Sequence, residues 1–225
     1  MSAAPEGAAR WGAVLFDLDG TLTDPKVGIT RSIQYALRKR GLLPPDADAL
    51  ESLIGPPLER SFRERFGFDP VEARRAVEDY REYFSVQGLY ENEVYPGIPE
   101  LLRCLRDAGR RVALATSKPT VYAERILEHF DLAKHFDVIV GSFLDGTRVD
   151  KSEIVATALA GVAEVAPARV VMVGDRMHDV EGARANGVDA IAVTYGYGTR
   201  EELAAASPTS LAESVGELGR LLFLV

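Results

Sequence analysis

The sequence predicts a doubly wound α/β domain, a parallel sheet with helices on both faces, that carries a helical insertion after its first strand. Short apolar, β-branched runs recur along the chain, and helical patterns separate them. This alternation is typical of parallel α/β sheets. One long interval, residues 17–110, breaks the alternation because it contains helical patterns and no convincing strand.

The predicted strands are uninterrupted apolar runs, which suits strands that are buried on both faces of a sheet. They cover residues 13–16, 111–116, 136–141, 169–174 and 188–194, of which the third is the weakest. The helical patterns between them are IPELLRCLRDAG, TVYAERILEHF, KSEIVATALAGV and HDVEGARANG. Two of these patterns end at glycine, as helices often do.

The insertion is predicted to be helical over residues 26–40, roughly 46–65 and 70–86, with interruptions at GLLPPD, IGPPL and FGFDP. An interval of this length is too long for one crossover and too structured for a loop. The segments TDP and VYPGIP, which are rich in chain-punctuating residues, would link it to the sheet. We therefore expect a core domain of residues 1–23 and 95–225 and a helical cap domain of residues 24–94.

Composition restricts the partners of the chain. The formal net charge of −8 argues against a nucleic-acid polymer, and a single cysteine excludes an internal disulfide framework and a thiolate zinc cluster. Residues 1–12 lack the apolar run of a secretory signal, and no stretch approaches the roughly 20 apolar residues that span a bilayer. We therefore expect a cytoplasmic protein with no membrane partner, either a monomer or a homodimer.

Polar and charged side chains follow the predicted strands directly. Ligands of doubly wound sheets bind at the carboxyl ends of the strands, so we expect these side chains to meet at one rim. They are Asp17 and Asp19 after the first strand, Thr116, Ser117 and Lys118 after the second, Lys151 at the start of the helix after the weak strand, and Asp175 and Asp179 after the fourth.

Four neighbouring carboxylates cannot all stay ionised unless a cation joins them. Oxygen ligands without histidine or cysteine favour a hard ion, usually Mg²⁺. Together with a lysine and hydroxyl donors, such an ion makes a phosphate site. Alternation along an extended chain puts Asp17 and Asp19 on the same side, so one can attack phosphorus while the other moves a proton.

The stretches DLDGTLTD, LATSKP, DGTRVDKSE and VGDRMHD resemble, in order, the four motifs of the haloacid dehalogenase superfamily. The resemblance implies a Rossmann-like core with a helical cap, Mg²⁺ dependence and hydrolysis of phosphate esters. It implies that Asp17 is the nucleophile, Asp19 the general acid and base, Thr116 a ligand of the transferring phosphoryl group and Lys151 its charge partner. The implied metal ligands are Asp17, the backbone carbonyl of Asp19, Asp175 and, in or next to the metal shell, Asp179.

Two lysines compete for the third motif. Many members of the superfamily carry this lysine before a proline, whereas here Lys151 precedes a serine and the KP pair is Lys118–Pro119. The order and the spacing to the fourth motif favour Lys151, which leaves Lys118 to face the substrate or the cap. Gly20 and Ser117 are further candidates for phosphate binding.

In the cap, Arg60 of IGPPLERSF is a candidate for recognising a carboxylate or a second phosphate. The alternative is a surface arginine on a connection between two helices.

The predicted function is hydrolysis of a small phosphorylated metabolite by a Mg²⁺-dependent phosphatase through an aspartyl-phosphate. Within the superfamily the chain resembles the phosphoglycolate phosphatase-like group, while GSFLDGTRVDK and VTYGYGTREEL favour its 5′-nucleotidase-like branch. A sugar phosphomutase shares the chemistry, and a dehalogenase is disfavoured because it needs no acid at Asp19. The non-enzymatic alternative is a phospho-acceptor signalling domain, which would need no helical cap.

Overall fold

A six-stranded parallel sheet forms the centre of the computed structural model, which describes residues 10–223. Residues 1–9, which make up most of the segment tested for a secretory signal, lie outside the described residues. The strands of this sheet are β1 Ala13–Phe16, β4 Arg111–Pro119, β5 Val138–Ser142, β6 Val170–Gly174, β7 Asp189–Val193 and β8 Ser210–Ala212. Two further short strands, β2 Thr23–Asp24 and β3 Glu93–Val94, pair with each other outside it.

Helices cover both faces of this sheet and fill the insertion. They are α1 Lys26–Lys39, α2 Leu58–Phe66, α3 Pro70–Tyr83, α4 Ile98–Asp107, α5 Thr120–His129, α6 Lys151–Ala160, α7 Met177–Ala185, α8 Arg200–Ala206 and α9 Val215–Phe223. Short 3₁₀ turns occupy Asp48–Leu53, Ala133–His135 and Pro167–Arg169, and a π turn occupies Phe84–Gly88. Among residues 10–223, no helix combines the length and the apolar character that a membrane crossing requires.

The strand order β5-β4-β1-β6-β7-β8 places the first strand in the middle of the sheet. Strand β1 pairs in parallel with β4 on one side and with β6 on the other, so the chain winds outward in both directions from it. The carboxyl end of β1 is therefore the switch point at which ligands of such sheets bind. The predicted doubly wound fold is confirmed.

The apolar run of β1 is uninterrupted because both faces of the strand are covered. Val14 and Phe16 pack into one hydrophobic cluster, while Ala13 and Leu15 pack into the cluster on the opposite face. All four side chains have no exposed surface. The chain therefore reaches the end of β1 in a fixed direction, which positions the acids that follow.

The insertion is helical, as predicted, but it differs from prediction at its two ends. The interval expected to lack strands contains β2 and β3, which form an antiparallel pair at the two ends of the insertion. The helical stretch 46–65 is interrupted at IGPPL, as the sequence predicts: a 3₁₀ turn ends at Leu53 and α2 begins at Leu58. Gly55 between them has φ +103°, and the two prolines that follow lack the N–H groups that a continuous helix needs. The division into core and cap domains stays a prediction.

Helix α1 packs closely against the end of the insertion through two glycines. The Gly28 N–H donates to the Glu91 carbonyl at 2.9 Å. A Cβ built on Gly28 would lie only 1.9 Å from the carbonyl oxygen of Gly88. The two backbone segments therefore touch where any side chain would separate them.

We expect Gly28→Ala to lower the free energy of unfolding by about 1–3 kcal/mol, because the backbones must move apart to admit a methyl group. The matched control is Gly219→Ala in α9, where the added Cβ meets Leu101 Cδ1 at an ordinary 3.7 Å. Helix propensity should make this control neutral or stabilising by up to about 1 kcal/mol. Urea unfolding measures both variants, and equal effects would contradict the close approach at Gly28.

Candidate active site

Three carboxylates from separate elements meet at the carboxyl end of the sheet. Asp17 follows β1, Asp175 follows β6 and Asp179 lies in the first turn of α7. One oxygen from each lies within 4.8 Å of the others, and all three residues are buried. Burial, followed by the charges of Asp179 and Asp17, raises the pKa of Asp175 well above its usual range. Burial also raises the pKa of Asp179.

Lys151 supplies positive charge to this cluster. Its Nζ lies 2.7 Å from Asp17 Oδ1 and 2.6 Å from Asp179 Oδ1, and its side chain is 6% exposed. Lys151 is the first residue of α6, whose N-terminus is fixed by the Asp150 side chain accepting from Ser152 N. Burial alone would lower the pKa of Lys151, but the charges of Asp17 and Asp179 raise it. The ammonium group is therefore charged where the carboxylates meet.

Asp175 is oriented by two donors that are not among the predicted site residues. Its Oδ2 accepts from the Tyr197 N–H at 2.7 Å, and its Oδ1 accepts from Thr21 Oγ1 at 3.4 Å. Gly20 has φ +83°, and a Cβ on it would lie 2.2 Å from Asp175 Oδ2. The Gly20 N–H donates to the Thr23 carbonyl at 2.8 Å, so it is already used within the chain. Gly20 thus makes room for Asp175, and its N–H offers no support for the predicted phosphate contact.

Asp19 lies apart from the carboxylate cluster, although it is only two residues from Asp17. Its Oδ2 lies 2.8 Å from Lys118 Nζ, and the same ammonium lies 4.4 Å from the ring centre of Phe84 in the insertion. Asp19 Oδ1 is buried and has no hydrogen-bond partner among the described residues. Burial raises the pKa of Asp19, while Lys118 opposes the rise. The two acids of the pair therefore have different surroundings.

Thr116 and Ser117 reach the site through an irregular stretch of β4. Pairing between β4 and β5 shifts its register between Ala115 and Pro119. This irregular part extends the strand beyond its predicted end at residue 116, and α5 begins only at Thr120. Thr116 Oγ1 is buried and accepts from the Lys118 N–H at 3.3 Å.

A small polar pocket of about 30 Å³ joins most of the predicted residues. Its lining contains Asp17, Asp19, Thr116, Ser117, Lys118, Lys151 and Asp179, together with Gly55, Arg176 and His178. A cleft of about 610 Å³ lies between the insertion and the core and shares Asp19, Gly55, Ser117 and Lys118 with the small pocket. The geometry thus provides a small charged centre that opens into a larger space.

Arg60 lines the large cleft but not the small pocket. Its Nε forms an ion pair with Glu64 Oε1 at 2.8 Å on the surface of α2, where its side chain is 62% exposed. The structure therefore separates Arg60 from the residues with which the sequence grouped it.

Arg176 connects the site to the insertion. Its Nη1 donates to the Ile54 carbonyl at 2.7 Å, and its Nε donates to Glu202 Oε1 at 2.9 Å. Its backbone N–H donates to Asp179 Oδ2 at 3.0 Å. The sequence left Arg176 without a role, because both of its side-chain partners are distant along the chain. These contacts hold the Gly55 loop against the loop that carries Asp175.

The donor set of the carboxylate cluster fits a divalent cation. Asp17, Asp175 and Asp179 offer only oxygen atoms, which suit hard ions such as Mg²⁺. Lys151 contributes one positive charge to three carboxylates, so a further cation would relieve the repulsion that adds to burial in raising the pKa of Asp175.

The parallel sheet and the acidic centre at its switch point define a doubly wound α/β protein with a small ligand pocket lined by charged side chains. The chain belongs to the haloacid dehalogenase-like hydrolase family, whose sequence profile matches residues 14–193. This membership confirms the predicted superfamily.

Relatives of known name cover almost the whole chain. A 5′-nucleotidase of Pseudomonas aeruginosa is 48% identical over 96% of this chain and 98% of its own length. The tyrosine-protein kinase PtkA of Mycobacterium tuberculosis is 42% identical over 93% of this chain and 72% of its own. The crystal structure of a "predicted phosphatase" from Clostridium acetobutylicum has a TM-score of 0.90 and 45% identity, and it covers 94% of this chain and 98% of its own. The predicted enzyme class, a haloacid dehalogenase-like phosphatase, is confirmed.

Proposed function

We propose that this protein is a Mg²⁺-dependent phosphomonoesterase in which Asp17 is the nucleophile. The observation that carries the proposal is the separation of the two acids after β1. Asp17 lies with Lys151 in the carboxylate cluster, whereas Asp19 has an unpartnered buried oxygen and a raised pKa. A carboxylate within the cluster suits attack on phosphorus, and an acid whose pKa is raised by burial suits transfer of a proton to a leaving group.

The residues divide the reaction into two displacements. Lys151 and Thr116 bind the phosphoryl group in the small pocket, and a carboxylate oxygen of Asp17 attacks phosphorus. The ester P–O bond breaks while Asp19 gives its proton to the leaving oxygen. Asp19 then takes a proton from water as the water attacks the aspartyl-phosphate. The bond between phosphorus and Asp17 breaks, which releases inorganic phosphate and restores both acids.

Asp17, Asp175 and Asp179, with the backbone carbonyl of Asp19, would hold the Mg²⁺ ion. When bound, the ion would neutralise charge on the phosphoryl oxygens and on the carboxylate cluster. Thr21 and the Tyr197 N–H keep Asp175 oriented toward this cluster.

The substrates that we consider are small phosphorylated metabolites. The 48% identical relative named 5′-nucleotidase favours nucleoside monophosphates, and relatives named phosphoglycolate phosphatase, such as that of Agrobacterium fabrum at 31% identity, favour a shorter substrate. The relative named as a tyrosine-protein kinase adds transfer to tyrosine as a competing outcome.

We expect phosphate release from at least one of phosphoglycolate, nucleoside 5′-monophosphates and sugar phosphates when Mg²⁺ is present. A chelator should abolish the release and added Mg²⁺ should restore it, because the carboxylate cluster then lacks its cation. A parallel incubation with ATP and a tyrosine peptide tests the kinase outcome. Phosphate release that a chelator leaves unchanged would overturn the metal requirement, and peptide phosphorylation without phosphate release would overturn the phosphatase assignment.

A further inference from the structure

The large cleft between insertion and core exceeds what a phosphate group needs. Its volume of about 610 Å³ lies within the range of roughly 300–1,000 Å³ that encloses ligands of drug size. It shares Asp19 and Lys118 with the small pocket, so a leaving group protonated by Asp19 would extend into it. The side chains of the cleft walls therefore affect which leaving groups fit. This inference rests on the proposed function.

The core wall of the cleft is apolar and exposed. Phe143, Leu144 and Val149 line it from the loop between β5 and α6, with 48%, 41% and 41% of their surfaces exposed. Clustered exposed apolar side chains mark ligand or partner sites. The Arg148 guanidinium lies 4.0 Å from the ring centre of Phe143, and its Nε donates to the Gly141 carbonyl at 2.8 Å. Phe143 is thus a supported aromatic surface at the edge of the active site.

The insertion wall of the cleft carries hydrogen-bond donors. Arg63 of α2 and Arg74 and Arg81 of α3 line it, and none of the three forms an ion pair with any residue of the described range 10–223. Arg81 is half-buried, whereas the other two are exposed. An unpaired, half-buried guanidinium presents donors in a planar fork that matches oxygen acceptors.

Two acids on the same wall limit which ligand groups can bind to these donors. Glu59 and Glu78 also line the cleft, and its fourth arginine, Arg60, is paired with Glu64, so acids offset much of the charge of the arginines. Asp145 lines the cleft as well and accepts from Thr147. This balance favours a neutral edge with carbonyl acceptors over a second phosphate. Arginine pairs with such an edge on guanine through two hydrogen bonds.

We propose that Phe143 and Arg81 form a leaving-group subsite for nucleoside 5′-monophosphates whose base carries carbonyl oxygens. The flat base lies against Phe143, and its oxygen-bearing edge accepts from Arg81 while the 5′-phosphate occupies the small pocket. A two-carbon leaving group such as glycolate carries no base that could occupy this subsite. The subsite determines which phosphomonoesters the enzyme prefers, and the proposed chemistry at Asp17 does not depend on it.

The test compares kcat/KM for guanosine 5′-monophosphate and for phosphoglycolate in the Mg²⁺-loaded enzyme. The wild-type protein should favour the nucleotide. Phe143→Ala and Arg81→Met should each lower the ratio of the two kcat/KM values by about tenfold, mainly through KM for the nucleotide, because stacking and paired hydrogen bonds contribute factors of this order. The two variants act on opposite walls, so a folding defect in one does not remove the test.

Two control variants match these substitutions outside the cleft. Arg75→Met removes the exposed arginine next to Arg74 on α3, and Leu43→Ala shortens a side chain that is 95% exposed. Both should keep the wild-type ratio. A wild-type preference for phosphoglycolate, or an unchanged ratio in both subsite variants, would overturn the subsite while leaving the phosphatase proposal intact. Hydrolysis of neither substrate, nor of any other phosphomonoester, would instead overturn the proposed function.

Discussion

Replacing Asp17 by asparagine is expected to abolish phosphomonoester hydrolysis, with kcat lower by on the order of 10⁴-fold or more. The amide has nearly the same shape as the carboxylate, but it lacks the charged oxygen that attacks phosphorus. The fold should survive, because the substitution removes one of the two negative charges that add to burial in raising the pKa of Asp175. Lys151 also keeps its second partner, Asp179, at 2.6 Å. Steady-state kinetics and thermal unfolding of the same preparation measure both effects.

Asp46→Asn is the matched control, because Asp46 is an exposed acid of the insertion that lines neither pocket. This variant should keep full activity. Substantial turnover by Asp17→Asn would refute the nucleophile assignment. In the wild-type protein, a stable phosphorylated Asp17 with negligible turnover would support the signalling alternative in place of the enzyme.

Lys151→Met is expected to lower both stability and activity. Methionine fills a similar volume but leaves Asp17 and Asp179 without their ammonium partner in a buried site. Breaking a buried pair in this way destabilises a protein by about 3–5 kcal/mol. Loss of a charge that faces the phosphoryl group should reduce kcat by roughly 10²–10³-fold. Denaturant unfolding in a chelator and in excess Mg²⁺ measures the first effect, and the cation should restore part of the stability.

Lys118→Met separates the two lysines that compete for the phosphate. Lys118 pairs with the single acid Asp19, so its loss should destabilise the metal-free protein less than the loss of Lys151. Its effect on kcat should also be smaller, because its ammonium lies between Asp19 and Phe84 and away from the carboxylate cluster. If Lys118→Met reduced kcat more than Lys151→Met, the assignment of the two lysines would have to be reversed.

The meeting of the acids could be predicted because strand ends can be located from the sequence. Uninterrupted apolar runs mark strands that are buried on both faces, and parallel strands place their carboxyl ends at one edge. Asp17 and Asp175 follow such runs directly, and the structure brings them together with Asp179. Their chemical roles stay predictions until the variants are measured.

Contacts between distant segments were not predictable from spacing. Arg176 donates to the Ile54 carbonyl 122 residues away, and Thr21 donates to Asp175 across 154 residues. The break at Gly55, in contrast, was predictable, because its two following prolines are a local signal that a helix over 46–65 cannot continue. Arg81 lies in no quoted motif, and Phe143 lies in GSFLDGTRVDK without a predicted role, because a cleft wall is assembled from separate elements.

The sequence by itself determined the fold class, the family and the set of charged residues at the sheet edge, because these depend on local periodicity and on short motifs. Only the tertiary structure decided how these charges are paired: Lys151 with Asp17 and Asp179, Lys118 with Asp19, and Arg60 with Glu64. Pairing depends on distances and burial, and these are set where helices of the insertion and strands of the core pack together. Local patterns and spacing along the chain do not give the distances between segments that are far apart in sequence.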